Sequence, residues 1–133
     1  MVHTVAVGTD GSGTADKAVE FAIELAARYE AGIVFISAYV PGRESHAGPP
    51  VDPSASVEAT LRACEERAQQ KGLHWASAAR AGDPAKVLVE LAASNDADLL
   101  VIGNKGMNRR TPESVPDTVT HTSPCSVMIV KTT

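Results

Sequence analysis

Short apolar runs recur along the chain and are separated by segments with a different periodicity. These runs are rich in Val, Ile and Leu and show little alternation with polar residues, which is typical of parallel strands covered on both faces. A weaker run, LHWASAA at Leu73–Ala79, predicts one more strand. The four stronger runs are TVAVG around Val5 and Val7, Ile33–Val40, Asp98–Gly103 and Ser126–Lys131.

The segments between the runs place apolar residues at helical spacing. The first predicted helix has Val19, Ala22, Ile23, Leu25, Ala26 and Tyr29 on one face, with Gly32 as its C-terminal glycine. The second begins at Asp52-Pro53, carries Val57, Leu61, Cys64 and Ala68, and closes at Gly72. The third begins at Asp83-Pro84 and buries Val87, Leu88 and Leu91, and the fourth spans Val115 to about His121. The segment Pro41–Pro53 is a loop by composition.

Strands and helices therefore alternate from one end of the chain to the other. This order predicts an α/β fold in which helices cover both faces of an open, five-stranded parallel sheet. Neither a linker nor an internal repeat divides the sequence, so residues 1–133 are expected to form a single domain. Ligands of such sheets bind beyond the carboxyl ends of the strands. The candidate residues are thus Thr9-Asp10, Ser37–Tyr39 and the segment from Gly103 onwards.

Composition and charge narrow the functional classes. Hydrophobic residues make up 44% of the 133 residues, which is enough for a core, and no apolar run is long enough to span a membrane. No signal peptide is indicated, so we expect a cytoplasmic protein. A net charge of −4 disfavours general nucleic-acid binding. The spacings of Cys64, Cys125 and the four histidines indicate neither a disulfide framework nor a metal site.

The segment Gly103-Asn104-Lys105-Gly106 gives the strongest local indication of an anion-binding site. A glycine turn after a strand and before a helix presents backbone N–H groups to an anion. Lys105, Arg109 and Arg110 add positive charge, although a solvated loop would carry the same charges. Ser114 either binds a phosphate or caps the last helix, with Asp117 three residues on.

The remaining strand-end residues leave the role of Asp10 open and argue against an enzyme or a receiver domain. Asp10 either contacts a nucleoside or serves as a turn carboxylate. We find no Ser-His-Asp or Cys-His arrangement and no carboxylate cluster, so catalysis beyond slow ATP hydrolysis is not expected. A receiver domain would need an acidic pair after the first strand and an Asp ending the third, which here ends Ala79-Arg80-Ala81.

Taken together, these blocks resemble the universal stress protein family over essentially the whole chain. The resemblance rests on VGTDGS, ISAYVP, AGDPAKVLVELAASNDADLLVIGNKG and SVPDTVTHTSPCSVMIV. It implies a Rossmann-like open fold with five parallel strands. It also implies a homodimer paired through Ser126–Lys131, an apolar strand that would otherwise be an unprotected edge.

One branch of this family binds ATP through the motif G-x2-G-x9-G-[S/T], and the resemblance implies site residues here. Asp10, next to Thr9, would contact the nucleoside, and Ala38 would lie beside adenine. Gly103, next to Asn104, would approach the ribose. Gly106, Ser114 and Val115 would hold phosphates.

The phosphate end departs from that motif. Six residues, Met107–Pro112, follow Gly106 where the motif has nine, and Glu113 replaces the third glycine. A carboxylate about 4 Å from a phosphate costs roughly 1 kcal/mol in water and about 4 kcal/mol at an effective dielectric near 20. We therefore expect adenine-nucleotide binding with a weakened grip on the outer phosphates, so that AMP or cyclic AMP fits as well as ATP, with or without Mg²⁺. The alternative is a dimeric interaction module of the same family that binds no nucleotide.

Overall fold

A computed structural model of the chain describes residues 1–39, 53–104 and 115–131, and of residues 53–55 it describes only the backbone. Five strands and four helices alternate, as the sequence predicts. The strands are β1 (Thr4–Gly8), β2 (Gly32–Tyr39), β3 (Trp75–Ala81), β4 (Leu99–Gly103) and β5 (Ser126–Val130). The helices are α1 (Gly13–Tyr29), α2 (Pro53–Gln70), α3 (Pro84–Ser94) and α4 (Val115–Thr122).

All strands pair in parallel, in the order β3-β2-β1-β4-β5. The predicted class, an open five-stranded parallel sheet with helices on both faces, is therefore confirmed. The chain leaves β1 towards β2 and β3, then crosses back to place β4 on the other side of β1. This reversal makes the carboxyl ends of β1 and β4 the switch point of the sheet.

Two apolar clusters fill the two sides of the sheet. One joins α1 and α2 to alternate residues of the strands, such as Val7 and Phe35, which are fully buried. The other joins α3 and α4 to the intervening residues, such as Ile36 and Leu100. Both faces of the central strands are thus buried, which explains why their sequences show no alternation.

Two local predictions differ from the structure. Gly32 was predicted as the C-terminal glycine of the first helix, but it is the first residue of β2. Helix α1 instead ends at Glu30, which takes the left-handed conformation (φ 53°) and donates its N–H to the carbonyls near the helix end. Strand β3 begins and ends two residues later than the predicted Leu73–Ala79, because most of its residues are exposed and the apolar pattern is weak.

Side-chain hydrogen bonds and ion pairs join separate elements of the fold. The Asp98 carboxylate accepts the N–H groups of His3 (2.7 Å) and Thr4 (3.0 Å), and these bonds lower its pKa. Arg67 of α2 forms ion pairs with Asp16 and Glu20 of α1. Glu65 of α2 accepts a hydrogen bond from Ser77 of β3. Helix α2 is therefore fixed both to its neighbouring helix and to the sheet.

Candidate functional site

Three of the predicted site segments lie at the carboxyl ends of adjacent strands. Thr9 and Asp10 follow β1, Ala38 lies near the end of β2, and Gly103 ends β4. The register pairs Gly8 with Ile36 and Val7 with Val101, so these segments end at a similar level. The structure thus brings the segments with Thr9, Asp10, Ala38 and Gly103 to one edge of the sheet, on both sides of the switch point.

The turn after β1 is held by its own side chains. Thr9 is 2% exposed, and its hydroxyl accepts the N–H of Gly11 at 3.2 Å. Asp10 is exposed, and its Oδ1 accepts the N–H of Ser12 at 2.9 Å. Gly11 takes a left-handed conformation (φ 83°), which favours glycine. Asp10 is therefore a turn carboxylate, and the Thr9 side chain is committed to the same turn.

The Asp10 carboxylate still has capacity for a ligand. Only its Oδ1 is used by the turn, and its Oδ2 makes no hydrogen bond to another residue of the described ranges. A carboxylate can accept several hydrogen bonds through its two oxygens. The turn role and the nucleoside-contact role are thus compatible, since the first uses one oxygen and leaves the other open to solvent.

The backbone carbonyl of Ala38 faces the side of β2 on which β1 has already ended. The carbonyl of Ile36 accepts the N–H of Thr9 on the β1 side, and the carbonyl of Tyr39 accepts the N–H of Gly82 on the β3 side. Backbone groups alternate in direction along a strand of a parallel sheet. The Ala38 carbonyl therefore faces the β1 side at a level where β1 has already turned away, and a carbonyl there can accept a hydrogen bond from a ligand amino group.

Gly103 and Asn104 are fixed by the last strand. Gly103 pairs with Val130, and the N–H of Asn104 donates to the carbonyl of Val130 at 2.9 Å. Both residues are partly buried. The backbone at the end of β4 is consequently held by β5 up to Asn104.

The phosphate end of the predicted site lies mostly outside the described residues. Gly106, Ser114, the predicted cations Lys105, Arg109 and Arg110, and Glu113 with the spacer Met107–Pro112 all belong to that part of the chain, as do Asp52 and most of the Pro41–Pro53 loop. Val115 is described: it is the first residue of α4 and is buried.

Within the described ranges, no group of three or more His, Cys, Asp and Glu side chains could hold a metal ion. No helix in the same ranges is long and apolar enough to cross a bilayer. Cys64 is buried in the α1–α2 cluster, and burial raises its pKa to about 11. Its thiol therefore stays protonated at neutral pH and is a poor nucleophile.

One neighbour of the site was not predicted from the sequence. Thr60 of α2 lies against Gly11, so that a Cβ added to Gly11 would be 2.7 Å from the Thr60 Oγ1 atom. The two residues are far apart in the sequence, and no motif joins them. Only the packing of α2 beside the end of β1 reveals the contact.

The fold and the strand-end geometry together define an α/β protein with an open parallel sheet, a class that binds ligands beyond the carboxyl ends of its strands. The chain belongs to the universal stress protein family, whose model matches residues 1–131. The predicted family is thereby confirmed.

Individual relatives agree with this assignment. The universal stress protein Rv1636 of Mycobacterium tuberculosis is 36% identical over 142 residues, which cover 98% of this chain and 97% of the relative. A universal stress protein solved in complex with cAMP is also 36% identical, with a TM-score of 0.80 and coverage of 99% and 98%. A family member from Arabidopsis thaliana with AMP bound shares the fold at 19% identity, with a TM-score of 0.77 and coverage of 98% and 92%.

Proposed function

We propose that this chain is an adenine-nucleotide-binding regulator of the universal stress protein family that acts in the cytoplasm. The nucleoside lies across the carboxyl ends of β2, β1 and β4. The Ala38 carbonyl accepts a hydrogen bond from the adenine amino group, and Asp10 binds the nucleoside through its Oδ2. Gly103, beside Asn104, gives the ribose close approach to the backbone. The observation that carries the proposal is this strand-end arrangement in a chain 36% identical to a relative that binds cAMP.

The residues expected near the phosphates determine which adenine nucleotide binds best. Backbone groups of Gly106, Ser114 and Val115 hold the first phosphate, and Lys105, Arg109 and Arg110 offset its charge. Glu113 and the short spacer Met107–Pro112 oppose a longer phosphate chain, since like charges repel. AMP and cyclic AMP are therefore expected to bind at least as tightly as ATP, and Mg²⁺ is expected to help ATP alone.

The first experiment is a calorimetric titration of ATP, AMP and cyclic AMP into nucleotide-free protein, with and without Mg²⁺. Asp10→Asn is the site variant, because an amide oxygen can still accept the Ser12 N–H while the charge is lost. It should weaken binding by roughly tenfold without loss of thermal stability. Exposed Asp96→Asn, at the opposite end of the sheet, is the control and should leave binding unchanged.

A second pair of variants tests the preference. Glu113→Gln removes the charge, and Glu113→Gly restores the glycine of the family motif. If repulsion sets the preference, both variants should tighten ATP binding and leave AMP binding unchanged. If neither changes ATP affinity, the shortened spacer is the cause instead.

The second candidate function is a dimeric interaction module that binds no nucleotide, and the departures at Glu113 and the spacer favour it. It is the remaining function if no nucleotide gives heat or a thermal shift. Both candidates share the proposed homodimer through Ser126–Lys131. Support for that dimer is that β5 is the last strand of the sheet and that Ile129 on β5 and Phe21 on α1 remain 45% and 44% exposed.

A further inference from the structure

Helix α2 makes direct contact with the turn that carries Asp10. The three heavy atoms nearest to a Cβ added at Gly11 all belong to Thr60, with Oγ1 at 2.7 Å and Cγ2 at 3.5 Å. Gly11 also has a φ of 83°, which strains any side chain. Thr60 therefore covers the residue that follows Asp10, and Gly11 is required for two separate reasons.

The position of Thr60 is set by α2 and not by the turn. Leu61, the next residue, is 7% exposed, and Cys64 one turn further on is 5% exposed. The ion pairs of Arg67 with α1 and the bond between Glu65 and Ser77 hold the same helix against its neighbours. Threonine is β-branched, which restricts its χ1 angle in a helix. A rigid side chain on a rigid helix thus abuts the turn.

The backbone on either side of the turn is fixed, since the Thr9 N–H donates to the Ile36 carbonyl and Ser12 caps α1. The two internal side-chain bonds of the turn come from Thr9 and Asp10, and the second lies at the surface. The bond from the Ser12 N–H to the Asp10 carboxylate spans Gly11, so the conformation of Gly11 is coupled to the position of that carboxylate. A contact that restricts Gly11 therefore also restricts the carboxylate proposed to bind the nucleoside.

We propose that Thr60 is a positioning residue of the nucleotide site. It packs against Gly11 and holds the left-handed turn that aims Asp10, so helix α2 sets the geometry of the nucleoside end. The inference rests on the proposed nucleotide binding for its effect on affinity, whereas its effect on the turn does not require a ligand.

The first test compares the affinity of wild type, Thr60→Ala and Thr60→Val for cyclic AMP and AMP by calorimetry. Thr60→Ala opens space above Gly11 and should weaken both ligands by roughly fivefold. Thr60→Val keeps the β-branch and puts a methyl group in place of the hydroxyl that lies nearest to Gly11, so it should bind within about twofold of wild type. The control is Thr122→Ala at the end of α4, where the hydroxyl donates to the Thr118 carbonyl of the same helix. This variant should leave both affinities unchanged.

Thermal unfolding separates positioning from stability. Alanine has a higher helix propensity than threonine, so Thr60→Ala should not lower the melting temperature. Weaker binding with unchanged or higher stability supports positioning. Equal affinity of Thr60→Ala and wild type overturns the proposal.

The effect of Thr60 on the turn can also be measured without a ligand, even if the wild-type protein binds no nucleotide. Amide hydrogen exchange of Gly11 and Ser12, followed by NMR, reports the two bonds of the turn. Thr60→Ala should accelerate exchange at these two amides by roughly fivefold and leave Leu61 and Cys64 unchanged. No acceleration there contradicts the positioning role, whereas acceleration without any nucleotide binding supports it and refutes only the proposed function.

Discussion

The sheet ends in two strands that each pair on one side only within the described ranges, β3 and β5, and their chemistry differs. Strand β3 exposes Trp75 at its start and then alanines and the charged Arg80, and side-chain bonds tie it to α2 and α3. Strand β5 is mostly apolar and leaves Ile129 exposed beside Phe21. Charge on an edge strand discourages pairing with another chain, and an apolar edge permits it. The difference supports the proposed dimer at β5 and gives β3 no comparable role in it.

The largest expected effect comes from placing a charge on the apolar edge. Ile129→Arg should weaken the proposed dimer by about 100-fold, because it puts an unpaired cation into a buried interface. Sedimentation velocity across a concentration series measures the dissociation constant. Ala79→Arg, an exposed position on β3, is the matched control and should leave dimerisation unchanged. A wild-type monomer, or equal effects at both edges, would remove the distinction between them.

The second-largest effect is expected from the hydrogen bond that joins β3 to α2. Ser77→Ala removes the donor to the partly buried Glu65 carboxylate and should cost about 1–2 kcal/mol in the free energy of unfolding. Urea denaturation measures this loss. Ser126→Ala, an exposed position at the start of β5, should change stability by less than about 0.5 kcal/mol. Equal losses at both serines would show that the Glu65 bond adds no stability to the β3 side.

A smaller effect depends on pH. The pKa of the Cys64 thiol is raised to about 11 by burial, above its ordinary value of 9.0. The folded state therefore holds this proton more tightly, and the resulting stability is complete below pH 9 and is lost as pH rises towards 11. Cys64→Ala should remove this part of the alkaline loss in urea denaturation at pH 8 to 11. Cys125→Ala, next to β5, tests whether the effect belongs to the α2 side alone.

The smallest effect is expected from the charges on β3. Arg80 and Glu90 form an ion pair at 2.9 Å, but their side chains are 49% and 45% exposed. Exposed pairs contribute little because water and salt screen them. Arg80→Ala should lower the free energy of unfolding by at most about 0.5 kcal/mol, and Lys131→Ala beside β5 by no more. A dimer gained at β3 on loss of Arg80 would show that its charge acts against association instead.

The sequence predicts the strands of the sheet centre well, since burial on both faces leaves continuous apolar runs such as that of β2. It predicts β3 less precisely because exposure weakens the pattern there. The end of α1 could not be read from Gly32, since Glu30 itself takes the left-handed conformation that glycine usually supplies.

The residues of the candidate site also differ in how well the sequence predicts their positions. The positions of Asp10, Ala38 and Gly103 could be predicted because each lies at or just after the carboxyl end of an identifiable strand, and parallel strands end on the same edge. Thr60 could not be predicted, because its contact with Gly11 depends on the angle at which α2 crosses the sheet. Sequence periodicity identifies the buried face of a helix but does not tell which distant turn a residue at the margin of that face will meet.

The hydrogen bond from Asn104 to the Val130 carbonyl has a consequence for the order in which the protein matures during synthesis. Val130 lies later in the chain than Asp10, Ala38 and Asn104, and it is translated after them. A nascent chain can pair β1 with β2 and β4 while Asn104 still lacks its acceptor. The edge of the sheet that carries the proposed site is therefore completed only after β5 has been translated and the other four strands have had time to pair.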